Sequence, residues 1–418
     1  MTPIINELNR GVLGAADLRQ RLGVSAPTLM RAVRQADARV IRIGLGRATR
    51  YGLRASWPGL DASRFPVFRV SETGSAESAG EVFTLASRQA VWMPAGTVSD
   101  GLPVALADAR PSGFLGQYFA AIHADLRLPA RLADWSDHHV LIAMSRRGED
   151  LPGNLILGDE SFARWQALDV VAKARDDYPG LAEATIAGRP PGSSVGGERP
   201  KFGVYLDGRH VLVKFASRSA DAVARRWCDL LVMEALALDV VASHGVSAAC
   251  THIVETPSYW FLESERFDRS GPRGRVAVLS LAAAHSDPAH TWAQAAAELR
   301  NAGRLAHEDA RRLQWLDAFG AFIGNTDRHQ FNILLFPDRR GFRLAPAFDQ
   351  ASMLYAPLAD GQVPARTFEL PKASSHTLEV WADARASARE FWERAGDDRR
   401  VSDDTRGVCS ANARALRD

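Results

Sequence analysis

The stretch Gly324-Asn325-Thr326-Asp327-Arg328-His329-Gln330-Phe331-Asn332-Ile333-Leu334-Leu335-Phe336, followed after a charged turn by Leu344-Ala345-Pro346-Ala347-Phe348-Asp349, decides the reading of this 418-residue chain. Asn332 follows Asp327 by five residues, and Asp349 comes directly after the apolar Phe348. Transfer of a phosphoryl group needs three such groups together. One carboxylate orients the attacking hydroxyl, while an amide oxygen and a second carboxylate hold a divalent cation against the phosphates. The run Ile333 to Phe336 reads as a buried strand, Pro337-Asp338 as a turn and Phe342-Arg343-Leu344 as a second strand. Such a hairpin carries Asp349 back beside Asn332. Alone, Asp327-Arg328-His329 reads more readily as a polar surface loop with local ion pairs; the spacing to Asn332 and Asp349 favours chemistry.

Upstream, Pro190 to Phe215 contains Ser193-Ser194-Val195-Gly196-Gly197, then a strand, an Asp207-Gly208 hairpin turn and a second strand ending at Lys214. Gly196-Gly197 lets backbone N–H groups approach a phosphate closely. No G-K-[ST] follows, so this is not a Walker A loop; a glycine-rich cover with a strand lysine beside the phosphates is the expected form. Lysine is scarce here: only Lys173, Lys201, Lys214 and Lys372 occur among 51 basic residues. A compact ammonium and a planar guanidinium are not interchangeable at a phosphate, so lysines retained at such a site carry weight. Ala220 to Ser243 predicts a long helix with Val223, Trp227, Leu230, Leu231 and Leu238 inward. Glu234 lies on or beside that stripe, where an unpaired carboxylate is costly, and Lys214 is its natural partner. Helices near 291–301, 307–323 and 378–395 complete a helical second lobe.

The first 57 residues have a different character. They carry ten arginines against Glu7, Asp17 and Asp37, a net +7 within a chain of net +2, which leaves −5 for the remainder. Helices are expected over 4–9, 15–22 and 27–36, the last capped by Ser25, then two strands around Gly44-Leu45-Gly46. That order is a winged helix-turn-helix. Thr28, Arg31 and Arg34 share one face of its third helix, and Arg47 and Arg50 sit on the wing, an arrangement suited to duplex DNA. Trp57-Pro58-Gly59 marks the expected boundary. Residues 63–150 read as a β-rich subdomain, 151–275 as a lobe bearing the glycine-rich loop and hinge, and 276–418 as the helical lobe. No apolar run approaches membrane-spanning length and no signal peptide is evident, so a soluble, cytoplasmic protein is expected. Cys228, Cys250 and Cys409 are isolated and predict reduced thiols.

Taken together, S-S-V-G-G-E-R-P-K, V-K-F, E-R-F-D-R, N-T-D-R-H-x-x-N and L-A-P-A-F-D resemble the HipA family of serine/threonine kinases, toxins of type II toxin–antitoxin modules. The D-x-x-x-x-N spacing also equals that of the protein-kinase catalytic loop. The resemblance spans roughly residues 65–418. It implies an α+β, two-lobed kinase-like fold, use of ATP and Mg²⁺, Asp327 as the catalytic carboxylate, and Asn332 and Asp349 as metal ligands. It further implies that Lys214 contacts the α/β phosphates and that Glu265 and Phe267 form the adenine hinge. Val195, Lys201 and His329 complete the nucleotide site, and Ser194, with Ser193 as its neighbour, is the autophosphorylation site. The family's targets are aminoacyl-tRNA synthetases. Typical members lack an N-terminal DNA-binding domain; here one is joined in cis, with a homodimer on DNA as the expected assembly. Two other readings use the same residues: a DNA-binding regulator whose kinase fold senses a nucleotide or metabolite, and a small-molecule phosphotransferase.

Overall fold

The computed structural model describes residues 3–188, 200–285 and 287–417. The chain divides into two compact units, one of residues 1–71, 75–112 and 123–169, the other of 72–74, 113–122 and 170–418.

The first unit begins with α1 (Pro3–Leu8), β1 (Leu13–Gly14), α2 (Ala15–Leu22), α3 (Ala26–Ala36), β2 (Val40–Ile43) and β3 (Arg50–Leu53), with strand order β1-β3-β2. Gly23 closes α2 in a left-handed conformation (φ 63°), and Ser25 Oγ caps α3 by accepting from Thr28 N at 3.4 Å. Ile4, Ile5, Leu8, Leu18, Leu29, Tyr51 and Leu53 form the core. Apolar spacing on α1 to α3 places these side chains inward and leaves Thr28, Arg31 and Arg34 exposed. The three helices and two strands expected near the N-terminus are therefore formed in winged helix-turn-helix order, with β1 as an additional strand.

The second part of this unit is an antiparallel sheet of order β7-β6-β5-β4-β8, made by β4 (Arg64–Val70), β5 (Ala76–Thr84), β6 (Gln89–Met93), β7 (Thr97–Asp100) and β8 (Leu155–Leu157). Leu106 to Gly116 reads in sequence as a loop, yet the end of α4 (Val104–Asp108) and most of α5 (Gly113–Gln117) fall within it; α5 and α6 (Phe119–Ile122) belong to the second unit. The chain then returns through α7 (Asp137–Arg147), β8 and α8 (Asp159–Ala167). The sheet runs past the boundary expected at residue 150, because β8 pairs with β4 in the register Val67↔Leu157 and Phe162 of α8 stacks on Phe68. Nor does Trp57-Pro58-Gly59 separate the winged helix from this sheet. Ala55 N donates to Thr84 O, Ala86 N donates to Leu53 O, and the buried Trp57 donates through Nε1 to Leu85 O. Ile43 of the wing shares a core with Phe83, Leu85 and Val91.

The second unit continues with α9 (Tyr178–Ala187), β9 (Lys201–Leu206), β10 (Arg209–Ser217), α10 (Ala222–Ser243), β11 (Thr251–Glu255) and β12 (Tyr259–Glu265). Its sheet has the order β11-β12-β10-β9, all antiparallel. Asp207 (φ 50°) and Gly208 (φ 80°) make the β9–β10 turn, both left-handed as a two-residue hairpin requires. Asp221 Oδ1 caps α10 by accepting from Ala224 N at 2.9 Å. Two small strands, β13 (Arg269–Ser270) and β14 (Gly274–Arg275), lead to β15 (Leu279–Ser280) and the helices α11 (Leu281–Ala284), α12 (Trp292–Asn301) and α13 (His307–Phe322). Strands β16 (Leu334–Asp338) and β17 (Gly341–Leu344) then pair with β15 in the order β15-β16-β17, and α14 (Trp381–Asp397) and α15 (Asp403–Ala415) close the unit. Pro337 and Asp338 lie within β16, so the reversal falls at Arg339-Arg340 and not where the proline suggested. β15 pairs with Leu334 and Leu335; among the described residues no strand lies alongside Pro337 on that side of β16, where a proline's missing N–H is tolerated. The main core runs from α10 through α12, α13 and α14, with Trp292, Trp315, Phe319, Phe391 and Trp392 at its centre.

Candidate active site

Lys214 sits on β10, directly opposite Lys201 of β9, so the two side chains share one face of the sheet. Lys214 is buried, and its Nζ donates to Glu234 Oε1 on α10 at 2.6 Å and to Asp349 Oδ1 at 2.5 Å. Glu234 is 1% exposed. One ammonium thus ties together a strand, the long helix and the loop after β17. Asp349 adopts a left-handed backbone (φ 55°), which a short polar residue tolerates better than a branched one. That conformation follows Phe348, whose ring lies 5.9 Å from Phe267, itself 6.1 Å from Phe336 on β16.

The segment between α13 and β16 presents Asp327 half exposed, and a web of buried groups fixes its backbone. Asn325 Oδ1 accepts from Asp327 N at 3.0 Å. Asn332 Nδ2 donates to Asp327 O at 2.8 Å and lies 3.4 Å from Asp327 Oδ2. The Asn332 amide nitrogen is thereby committed to Asp327, which sets its carbonyl oxygen as the group a cation would use. His329 Nε2 lies 3.5 Å from Asp327 Oδ1, and both side chains are about half exposed.

Beneath this loop, Arg328 turns inward. Its Nε donates to Asp317 Oδ1 of α13 at 3.2 Å, and its Nη1 donates to Asn325 O. Asp317 Oδ2 accepts from Ala293 N in the first turn of α12 at 3.1 Å. Gly320 of α13 makes room: a Cβ there would stand 2.7 Å from Arg328 Cδ. Trp292 Nε1 donates to His329 O, and Gln330 Nε2 donates to Asp287 O and His290 O. Sequence alone does not mark Asp317, Gly320, Trp292 or Gln330 for this role, and it shows Arg328 only as part of a polar surface loop. The available signals were a glycine inside a long apolar helix and an aspartate one turn before it.

The two residues expected at the hinge, Glu265 and Phe267, have unlike settings. Phe267 joins the aromatic cluster, whereas the Glu265 carboxylate turns to Arg209 Nη1 at 3.0 Å and its amide donates to Cys250 O. Asp268 accepts from both Arg266 and Arg269, which pins the turn after β12. Ser193, Ser194, Val195, Gly196 and Gly197 lie outside the described residues. In the first unit, Arg31, Arg34 and Arg47 are exposed, while Arg50 Nη2 donates to Gly96 O at 2.9 Å and is partly committed there.

Residues 193–414 match the HipA-like C-terminal domain, and residues 61–166 match the middle domain of YjjJ-like toxins. Over its whole length the chain is 33% identical to Toxin YjjJ of Escherichia coli (strain K12), covering 98% of that protein. The chain belongs to the HipA family of toxins. Among solved structures, the HipA-family fold is shared with HipA of Shewanella oneidensis MR-1, determined with HipB and its operator DNA: TM-score 0.54 at 14% identity, covering 84% of this chain and 95% of that one. The α+β kinase-like fold of this HipA-family chain is the one its residues predicted, with a β-rich lobe carrying Lys214 and a helical lobe carrying Asp327, Asn332 and Asp349.

Proposed function

We propose that this HipA-family protein is an ATP- and Mg²⁺-dependent serine/threonine protein kinase that also binds duplex DNA through residues 1–57. The observation that carries the reading is Lys214 held between Glu234 and Asp349, the lysine–glutamate pair and metal-binding aspartate that phosphoryl transfer requires together. The donor set fits a hard cation, since Asn332 and Asp349 would supply oxygens to Mg²⁺. Bound Mg²⁺ would neutralise charge on the phosphates. Asp327 orients the acceptor hydroxyl and takes its proton; Asn325 fixes its backbone, and Asn332 holds its carbonyl and lies beside its carboxylate. Lys214 steadies the α/β phosphates, and Phe267 and Phe348 offer an aromatic wall to a base.

A DNA-bound sensor needs nucleotide binding but not an oriented Asp327, so the Asn325–Asp327–Asn332 web favours catalysis over that reading. The exposed α3 arginines and the operator-bound state of the Shewanella relative support DNA as partner, with a homodimer as the assembly. A protein acceptor, of the aminoacyl-tRNA synthetase class implied by the resemblance, and self-modification at Ser194 or Ser193 belong to the same reading. The test is incubation with γ-labelled ATP and Mg²⁺, followed by intact mass and peptide mapping. An increment of about 80 Da in the wild type, absent from Asp327→Ala, supports the kinase. No transfer to itself or to lysate proteins, despite nucleotide binding, supports the sensor.

A further inference from the structure

Next to the catalytic loop, in the same unit, lies a cluster that phosphoryl transfer does not use. His285 follows α11, His290 stands two residues before α12, and Glu298 projects from α12. His285 Nε2 lies 2.8 Å from Glu298 Oε2 and His290 Nδ1 lies 3.2 Å from Glu298 Oε1, so two imidazoles meet the two oxygens of one carboxylate. Three ligand atoms, one from each residue, lie within 4.8 Å of one another. The second nitrogen of each ring faces Asp287: His285 Nδ1 is 3.2 Å from Asp287 O and 3.3 Å from Asp287 N, and His290 Nε2 is 3.4 Å from Asp287 Oδ2. A metal-bound histidine characteristically gives its remaining N–H to a backbone carbonyl or a carboxylate, which fixes ring orientation and tautomer. Asp287 offers one of each.

We propose that His285 Nε2, His290 Nδ1 and the Glu298 carboxylate bind a borderline divalent transition-metal ion of the zinc class, with water as fourth ligand. Two imidazoles and one carboxylate suit such an ion, whereas Mg²⁺ requires an octahedral oxygen shell. Metal–nitrogen bonds of about 2.0–2.1 Å at tetrahedral angles separate ligand atoms by roughly 3.4 Å, so binding needs the Glu298 contacts to open by about half an ångström. Access is graded: the His285 side chain is 6% exposed, His290 28% and Glu298 55%, so the ion enters from the Glu298 side onto a buried anchor. Any proton held on the ligating nitrogens leaves to solvent as the ion binds.

The site has a path to the chemistry. Gln330 donates to the carbonyls of Asp287 and His290, and Gln330 opens the short helical turn Gln330–Asn332 that carries Asn332. An ion held by His285 and His290 thereby steadies the Asp287 and His290 carbonyls, two acceptors on which the catalytic loop rests.

The experiment uses the full chain, stripped with chelator and titrated with Zn²⁺ by calorimetry, and with Co²⁺ as a spectroscopic probe in millimolar Mg²⁺. The expected result is one Zn²⁺ per chain and the visible absorption of four-coordinate cobalt. His290→Ala and Glu298→Gln, both at accessible positions, should each weaken binding by about tenfold or more and abolish the cobalt spectrum. Binding of equal strength in both variants, suppression by Mg²⁺, or no cobalt spectrum in the wild type overturns the proposal and leaves a histidine–glutamate ion-pair cluster. None of these readouts depends on phosphoryl transfer, so the metal site and the kinase reading stand or fall separately.

Discussion

Replacing Glu234 by Gln removes one charge from a buried pair without changing its shape. At the observed 2.6 Å and an effective dielectric constant of about 20, the gross attraction between Lys214 and Glu234 is about 6 kcal/mol. Desolvation of both groups offsets much of it, and breaking such a pair from one side typically costs about 3–5 kcal/mol. Asp349 remains on the ammonium's other side, which moves the expected loss to about 3 kcal/mol. Function should suffer in a particular direction. Lys214, released from Glu234, leans wholly on Asp349 and competes there with the cation, so Mg²⁺-dependent nucleotide affinity falls by about tenfold, roughly 1.4 kcal/mol. Urea unfolding followed by tryptophan fluorescence measures the first effect, since Trp227, Trp260, Trp292, Trp315, Trp381 and Trp392 all lie in this unit. Calorimetric titration with a non-hydrolysable nucleotide measures the second. A cycle with Lys214→Met should give a coupling of about 2 kcal/mol or more. A loss below about 1 kcal/mol together with unchanged nucleotide affinity would refute the reasoning.

Asp327→Ala should lower phosphoryl transfer by about 10²–10⁴-fold while nucleotide binding stays near wild type, checked by radiolabel transfer and calorimetry. Gly320→Ala should slow the reaction without unfolding the protein, because a new Cβ 2.7 Å from Arg328 Cδ displaces the side chain under the loop; unchanged steady-state rates would show the buttress to be dispensable. Fluorescence anisotropy of the full chain on duplex DNA should give a log K against log salt slope of roughly −5, and Arg31→Ala or Arg34→Ala should each flatten it by about one. Arg50→Ala should flatten it less, since that side chain is bonded to Gly96 O. Burial pushes the Cys228 and Cys409 thiols up to about 12, so a thiol reagent at neutral pH should modify the exposed Cys250 quickly and the other two only on unfolding.

Features that depend on neighbours in sequence were legible from the start. The Asp207-Gly208 turn, the Ser25 cap and α10 follow from local propensity and spacing, and the Lys214–Glu234 pair follows from the cost of burying a lone carboxylate. What stayed hidden depends on partners far along the chain. Strand β8 joins β4 from the far side of the α7 segment, so the expected boundary at 150 cuts a sheet that exists only in three dimensions. Asp229, buried on α10, accepts from Ser402 N and Oγ and from Thr405 Oγ1 at the start of α15, a role no local pattern announces. Arg328 read as a surface charge because only the fold brings Asp317 and Gly320 beneath it.

The seam between wing and sheet has a mechanical meaning. Gly52 lies so close to Leu85 that a Cβ would come within 3.0 Å of its methyl carbon, and the bonds from Leu53, Ala55 and Trp57 run on into the strands without a slack segment. A helix gripped at α3 therefore transmits torque straight into the five-stranded sheet, as a handle does into the blade it is forged with. Proteolysis should not release a free 57-residue fragment, and grafting that fragment elsewhere would strip away the wall that keeps its wing in shape.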